Sequence, residues 1–279
     1  MTRISEFLAD LRQCLVQVSD SPGLDSQVLL AQVLNKSRAW VLAHPETQLT
    51  SEQEAQIESA SERLKQGIPL PYVLGHWEFF GLDFQVTPDI LIPRPETELL
   101  VENALEWLQK RSDRRLALDV GTGSGCIAIA LTSQIQDCSV IATDISLPAL
   151  QAAKQNANQI GVSQRVKFLR ADLFPPSEAQ FDLICANLPY IPTTILHSLP
   201  VYRKEPAIAL DGGWDGLELI RRLIASAPQW ISPGGLILLE IESSQGQTAS
   251  NLAMAEFPKA DIQILPDLAG FDRLLRIQT

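Results

Sequence analysis

Apolar residues recur at helical spacing through Ile4, Phe7, Leu8, Leu11, Leu15 and Val18, and the Pro22-Gly23 pair that follows predicts a break. A second helical face runs through Val28, Leu29, Leu30, Val33 and Leu34, and Trp40 to Leu42 form a short apolar turn stopped by Pro45. A third helix opens at Thr50 or Ser51, each followed three residues later by a Gln or Glu that can complete a capping box, and closes at Gly67. Residues 1–68 are therefore expected to form a small helical domain. Over residues 69–95 seven prolines and glycines punctuate short aromatic and β-branched runs, Trp77 to Phe80 and Phe84 to Thr87, which predicts a β-hairpin linker.

Across residues 96–279 the two periods alternate. Helical patterns at Leu99–Leu108, Ile127–Leu131, Ala149–Ile160 and Leu217–Trp230 separate apolar strands at Leu116–Val120, Val140–Thr143, Val166–Leu169, Phe181–Ala186 and Leu236–Ile241. Strands spaced by helices predict an α/β fold, a parallel Rossmann-like sheet covered on both faces. Ile262–Leu265 and Leu274–Ile277, around a turn at Gly270, predict a terminal antiparallel hairpin.

Composition narrows the partners. The chain has 279 residues and 46% hydrophobic content, enough for a core, and 22 basic against 33 acidic residues leave a net charge of −11. Residues 1–70 carry −3 and the remainder −8, so neither part offers the basic surface that nucleic-acid backbones require. Cys14, Cys126, Cys138 and Cys185 lack CxxC spacing and read as reduced thiols. His44, His76 and His197 lie far apart, so no metal site is expected. The stretch Met1 to Asp20 mixes charge with apolar residues, unlike a signal peptide, and no long apolar span follows. A cytoplasmic protein is expected, with no membrane partner.

After strand Leu116–Val120 comes Gly121-Thr122-Gly123-Ser124-Gly125, leading directly into a helix near Cys126. Glycines permit positive φ and close backbone approach, and a helix start presents N–H groups to an anionic or carboxylate-bearing ligand. A dinucleotide fingerprint wants its third glycine one residue later, at the position of Cys126, so NAD is disfavoured. Asp144 ends the next strand, where a carboxylate can hold a ribose diol of either NAD or S-adenosylmethionine. Asp172 follows the third strand, placed to meet an adenine amino group, with Leu173 and Phe174 as apolar cover.

Strand Phe181–Ala186 runs into Asn187-Leu188-Pro189-Tyr190. A polar Asn after a buried strand, then a proline turn and an aromatic, suits the holding of a planar amide or amine. The nitrogen of a carboxamide is a weak nucleophile because its lone pair is delocalised. Two acceptors, the Asn187 side-chain oxygen and the Leu188 carbonyl, can take both of its N–H bonds and leave the lone pair facing an electrophile. Pro189 biases Leu188 to an extended conformation, and Tyr190 can pack on the planar group.

These residues carry a resemblance. The chain resembles the release-factor-specific protein-(glutamine-N5) methyltransferases, the PrmC/HemK family, over nearly its whole length. The match includes the N-terminal helices, Pro71-Tyr72 to Gly75 with Phe79, and Ile92-Pro-Arg-Pro-Glu-Thr-Glu98. It continues through Leu118 to Gly125, the Asn187 tetrapeptide, Glu205-Pro206 with Ala209-Leu210, and Gly234-Gly235. The resemblance implies a class I S-adenosylmethionine-dependent methyltransferase. Its acceptor would be the glutamine of the Gly-Gly-Gln motif in class I peptide-chain release factors, and the protein would act as a monomer. Carried over by position, Gly121 to Gly125, Asp144, Asp172, Leu173 and Asn187 would bind the cofactor. Asn187, Leu188, Pro189 and Tyr190 would hold the glutamine and form the catalytic corner, with Arg94 and Glu96 bordering it or salt-bridging to the following helix. The N-terminal helices would recognise the partner. The family usually has proline where this chain has Leu188, a change that keeps the backbone carbonyl and loses ring rigidity. Three other readings compete: a glutamine methyltransferase of a ribosomal protein, an adenine-N6 nucleic-acid methyltransferase, and an adaptor without catalysis. The charge balance weighs against the second, and retention of the glycines, Asp144 and Asn187 against the third.

Overall fold

The structure, a computed structural model, describes residues 2–19, 21–111, 115–176 and 179–279, so Met1 and Asp20, the ends of the charged N-terminal stretch, lie outside the described residues. The chain falls into two units, Met1–His76 and Trp77–Thr279. The first holds α1 (Ile4–Leu15), α2 (Pro22–Leu34), α3 (Arg38–Ala43), α4 (Ser51–Lys65) and α5 (Leu70–Leu74). Its core is built from the apolar faces read in the sequence, among them Ile4, Leu11, Leu15, Leu29, Leu30 and Ile57, all buried. Thr50 caps α4: its hydroxyl accepts from Gln53 N at 3.2 Å while Gln53 Oε1 accepts from Thr50 N at 2.9 Å.

Two prolines open helices. Pro22 stands at the expected break after α1 and starts α2 at its first position, where a missing N–H costs nothing. Pro71 likewise sits in the first turn of α5, a helix inside the stretch read as hairpin linker. The hairpin itself is β1 (His76–Phe79) and β2 (Leu82–Gln85), paired as a two-stranded sheet.

The second unit follows with α6 (Thr97–Gln109), β3 (Leu116–Val120), α7 (Cys126–Gln134), β4 (Ser139–Asp144), α8 (Leu147–Ile160), β5 (Val166–Arg170), β6 (Phe181–Ala186) and α9 (Thr193–Leu196). It ends with α10 (Glu218–Ser226), β7 (Ile231–Glu240), α11 (Gly246–Glu256), β8 (Asp261–Pro266) and β9 (Asp272–Gln278). Seven strands run in the order β5-β4-β3-β6-β7-β9-β8. The first five pair parallel, and β9 lies antiparallel between β7 and β8, which gives the expected terminal hairpin. Helix α11 had no reading in the sequence. Its buried stripe is made of Ala249, Ser250 and Ala253, small residues that leave a weak apolar signal.

Alternation along the strands divides the core. Ala117, Leu183, Cys185, Leu236 and Leu238 face α6 and α7, while Leu118, Ile184, Ile237 and Leu239 face α10 and α11. On the first face Asn156 of α8 is fully buried and spends its carboxamide across two other segments. Its Oδ1 accepts from Gln85 N at 2.8 Å, and its Nδ2 donates to Gln85 O at 3.1 Å and Ser124 O at 2.9 Å. That amide ties β2 to the turn after β3. Ligands in such sheets bind beyond the carboxyl ends of the strands, and the chemistry-bearing residues lie there.

Candidate active site

A cavity of about 620 Å³ opens beyond the ends of β3, β4, β5 and β6, and its lining includes Gly121, Gly123, Asp144, Leu173, Asn187 and Leu188. The turn from β3 into α7 has all three glycines at positive φ, +73° at Gly121, +55° at Gly123 and +83° at Gly125. A Cβ at Gly125 would stand 2.9 Å from Ile129 Cδ1 and 3.0 Å from Ala153 Cβ, so this position also needs glycine for packing. Thr122 and Ser124 are buried and serve the turn itself: Thr122 Oγ1 donates to Asp119 Oδ2 at 2.6 Å, and Ser124 O accepts from Asn156.

Asp119 is fully buried. Its Oδ2 also accepts from Ala128 N at 3.2 Å, whereas Oδ1 has no partner among the described residues. Burial pushes this carboxyl up to about 7, against the pull of its two donors.

At the end of β4 the Asp144 carboxylate is braced by the backbone on both oxygens: Gly123 N donates to Oδ2 at 2.9 Å and Ser146 N to Oδ1 at 2.8 Å. Asp144 lines the cavity, and a carboxylate oxygen that accepts one hydrogen bond has capacity for another, which is what a vicinal diol needs. Burial raises the Asp144 pKa, with the backbone donors pulling it back. Leu173 lies at φ +66°, held by Thr143 Oγ1, which donates to Leu173 O at 2.6 Å. A non-glycine residue in this region costs on the order of 1–3 kcal/mol, and here the strained backbone aims an apolar side chain at the cavity. Asp172, exposed, accepts from Arg222 at 2.7 Å through Oδ2, leaving Oδ1 for a further donor.

The Asn187 tetrapeptide closes the other side. Asn187 Nδ2 donates to Thr97 Oγ1 at 3.0 Å, Thr97 Oγ1 donates to Glu240 Oε2 at 2.7 Å, and Tyr190 OH donates to Glu240 Oε1 at 3.4 Å. Asn187 Oδ1 and the Leu188 carbonyl accept no hydrogen bond among the described residues. Leu188 is buried, with Cδ2 3.0 Å from where a Cβ at Gly121 would sit, so its side chain fills space against the glycine turn. Pro189 lines the cavity; Tyr190 stands behind it, its hydroxyl pushed well above the ordinary tyrosine range by burial and by Glu240.

Arg94 and Glu96 do not line the cavity. The Arg94 guanidinium is drawn to Glu205, whose Oε2 also accepts from Ile92 N at 3.1 Å, so Glu205 braces the segment before α6. Glu96 is exposed at the start of α6.

Sequence reasoning passed over four participants. Glu240 and Thr97 are buried, and Glu240 falls on the inward alternation after Leu236 and Leu238, where an apolar residue is the norm. A carboxylate in that register was a readable sign. Asp119 repeats it after Ala117 on β3. The turn through Gly212 and Gly216 gave no such sign: a Cβ at Gly212 would meet Pro189 O at 2.8 Å, and Gln245 Nε2 donates to both Tyr190 O at 3.0 Å and Gly216 O at 3.2 Å.

Residues 6–75 match the family described as PrmC N-terminal domain, and residues 95–195 match the methyltransferase small domain. The chain is 43% identical over 256 residues to a release factor glutamine methyltransferase of Moorella thermoacetica, covering 91% of this chain and 90% of the relative. It is 38% identical to the protein of the same name from Bordetella pertussis, covering 98% of each. A methyltransferase structure from Pyrococcus furiosus, 17% identical with a TM-score of 0.52 over 82% of this chain and 98% of that one, shares the fold. With a parallel sheet, a glycine turn, an acid at the next strand end and relatives at this identity across the chain, it belongs to the release factor glutamine methyltransferase family.

Proposed function

We propose that this chain is a cytoplasmic, monomeric enzyme that transfers a methyl group from S-adenosylmethionine to a glutamine side-chain amide. The acceptor is the Gly-Gly-Gln motif of class I peptide-chain release factors. The observation that carries this reading is the pair of unspent acceptors, Asn187 Oδ1 and the Leu188 carbonyl, on the cavity that Asp144 and the glycine turn also line.

The residues present fit the cofactor. Gly121 and Gly123 line the cavity without a side chain while Thr122 and Ser124 turn inward, Asp144 has lone pairs for the ribose hydroxyls, and Leu173 offers an apolar surface to the base. Asp172 Oδ1 remains for its amino group. When bound, S-adenosylmethionine supplies a methyl group on a cationic sulfur, an electrophile that needs no metal or acid.

The chain's own residues then act on the glutamine. Asn187 Oδ1 and the Leu188 carbonyl accept its two N–H bonds, which fixes the amide plane and turns the nitrogen lone pair outward. Pro189 holds Leu188 extended, and Tyr190 backs the corner through Glu240. Methylation would leave the nitrogen cationic and strongly acidic, so its proton would pass to water and no base need be charged first. We assign residues 1–68 to partner recognition, 69–95 to the linker and 96–279 to catalysis; Arg94 and Glu96 border the approach of the partner loop.

Incubation of unmodified class I release factors with the protein and S-adenosylmethionine, read by mass spectrometry, tests the proposal. One added methyl on the Gly-Gly-Gln glutamine is expected. No gain, with cofactor binding shown by calorimetry, overturns the substrate and redirects it to ribosomal proteins or nucleic acid.

A further inference from the structure

We propose that Thr97 and Glu240 are positioning residues: their hydrogen-bond chain turns the Asn187 carboxamide so that Oδ1, and not Nδ2, faces the acceptor. This rests on the reading of Asn187 as holder of the glutamine amide.

An ionised carboxylate only accepts, and a hydroxyl has a single proton to give. Thr97 spends its proton on Glu240 Oε2 at 2.7 Å, so only a lone pair is left toward Asn187, 3.0 Å away. The atom of Asn187 that meets it must therefore be a donor. The reverse orientation sets lone pair against lone pair in a buried place and presents two N–H groups to a substrate that itself brings two N–H groups. The orientation of the Asn187 amide is thus fixed by chemistry while Glu240 is ionised. Thr97 lies 90 positions from Asn187 and 143 from Glu240, so the fold assembles the chain from α6, the loop after β6 and the end of β7.

The device has a pH sense. Among the described residues, Glu96 just before α6, Tyr190 from the loop, Arg273 from β9 and Cys126 from α7 are the charged and titratable neighbours of Glu240, with Thr97 of α6 its hydroxyl partner. Burial lifts Glu240 to about 7, opposed by Thr97, Arg273 and Tyr190. Once protonated, Glu240 can donate to Thr97, which frees the threonine proton to turn toward Asn187 and favours the wrong face.

The test compares Thr97→Val, Thr97→Ser, Glu240→Gln and Asn187→Ala in glutamine methylation, with cofactor affinity and thermal stability measured alongside. Thr97→Val, nearly isosteric, is expected to lower kcat on the order of 100-fold, the scale of a misplaced reacting group, with cofactor affinity little changed. Thr97→Ser, which restores the hydroxyl, is expected to recover most of that loss. Wild-type kcat is expected to fall as pH drops through about 7, and Glu240→Gln is expected to lose this acid limb. Thr97→Val within two-fold of wild type, an equal loss in Thr97→Ser, or an unchanged acid limb in Glu240→Gln overturns the positioning role. If Asn187→Ala turns over like wild type, the underlying reading of Asn187 fails instead.

Discussion

At the glycine-turn end of the cavity the contacts are short in sequence: Thr122 reaches Asp119 across 3 positions and Gly123 reaches Asp144 across 21. At the Asn187 corner they are long, 50 positions from Tyr190 to Glu240, 90 from Asn187 to Thr97 and 143 from Thr97 to Glu240. The first end is made mostly of backbone, its N–H groups bonded to Thr143 O, the Asp144 carboxylate and Thr122 O. The second is made of side chains that meet only when α6, β6 and β7 are in place. A backbone-made site tolerates changes of side chain but no added Cβ. A side-chain relay tolerates reshaping nearby but no lost proton donor.

The sharpest way to separate the two ends is Asn187→Ala. Methyl transfer is expected to fall roughly 1,000-fold while cofactor affinity weakens modestly, because the loss concerns orientation at the reacting amide. Single-turnover rates with calorimetry on the same variant check it; equal losses in binding and rate would erase the distinction. Next comes Gly125→Ala, which puts a Cβ at φ +83° against Ile129 and Ala153. It is expected to cost about 2–4 kcal/mol of stability, the sum of backbone strain and overpacking, seen as a lower urea midpoint.

Asp144→Ala acts on the same end and also frees the Gly123 and Ser146 N–H groups that its carboxylate accepts. Loss of charge-assisted hydrogen bonds to a diol is expected to raise the cofactor Kd by about 10–100-fold. In the wild type the raised Asp144 carboxyl gives affinity its sign with pH. Bound hydroxyls favour the ionised form, so binding is full above that pKa and weakens as pH falls through it, and titration calorimetry across pH should show the slope vanish in the alanine variant. The smallest effect belongs to Leu188→Pro. The carbonyl stays, the ring removes ~0.4–1 kcal/mol of unfolded-chain entropy, and the packing of Leu188 against Gly121 is lost. A change in kcat under about three-fold is expected; a larger one would mean that the leucine side chain, and not its carbonyl, shapes the corner.

The same contrast explains what could be read beforehand. The strand, glycine turn and Asp144 were legible because each is a local pattern, as was the Thr50 and Gln53 capping box. Helix α5 was obscured by prolines that start helices as readily as they stop them, and α11 by a face of small residues. Thr97 stood in a motif that marked the family, yet its partner lay 143 positions away, beyond any periodicity. Arg94 illustrates the converse: an exposed-looking cation beside the site is claimed by Glu205, a partner that only the folded chain supplies.

Asn156 joins β2 to the glycine turn through one carboxamide, two hydrogen bonds on one side and one on the other. Opening either segment strands the same buried amide, so the hairpin and the turn open as one cooperative unit and not as two loops. Deuterium should therefore enter Gln85 and the amides around Ser124 at matched rates. A ligand that grips only the glycine turn would then slow exchange in a hairpin it never touches.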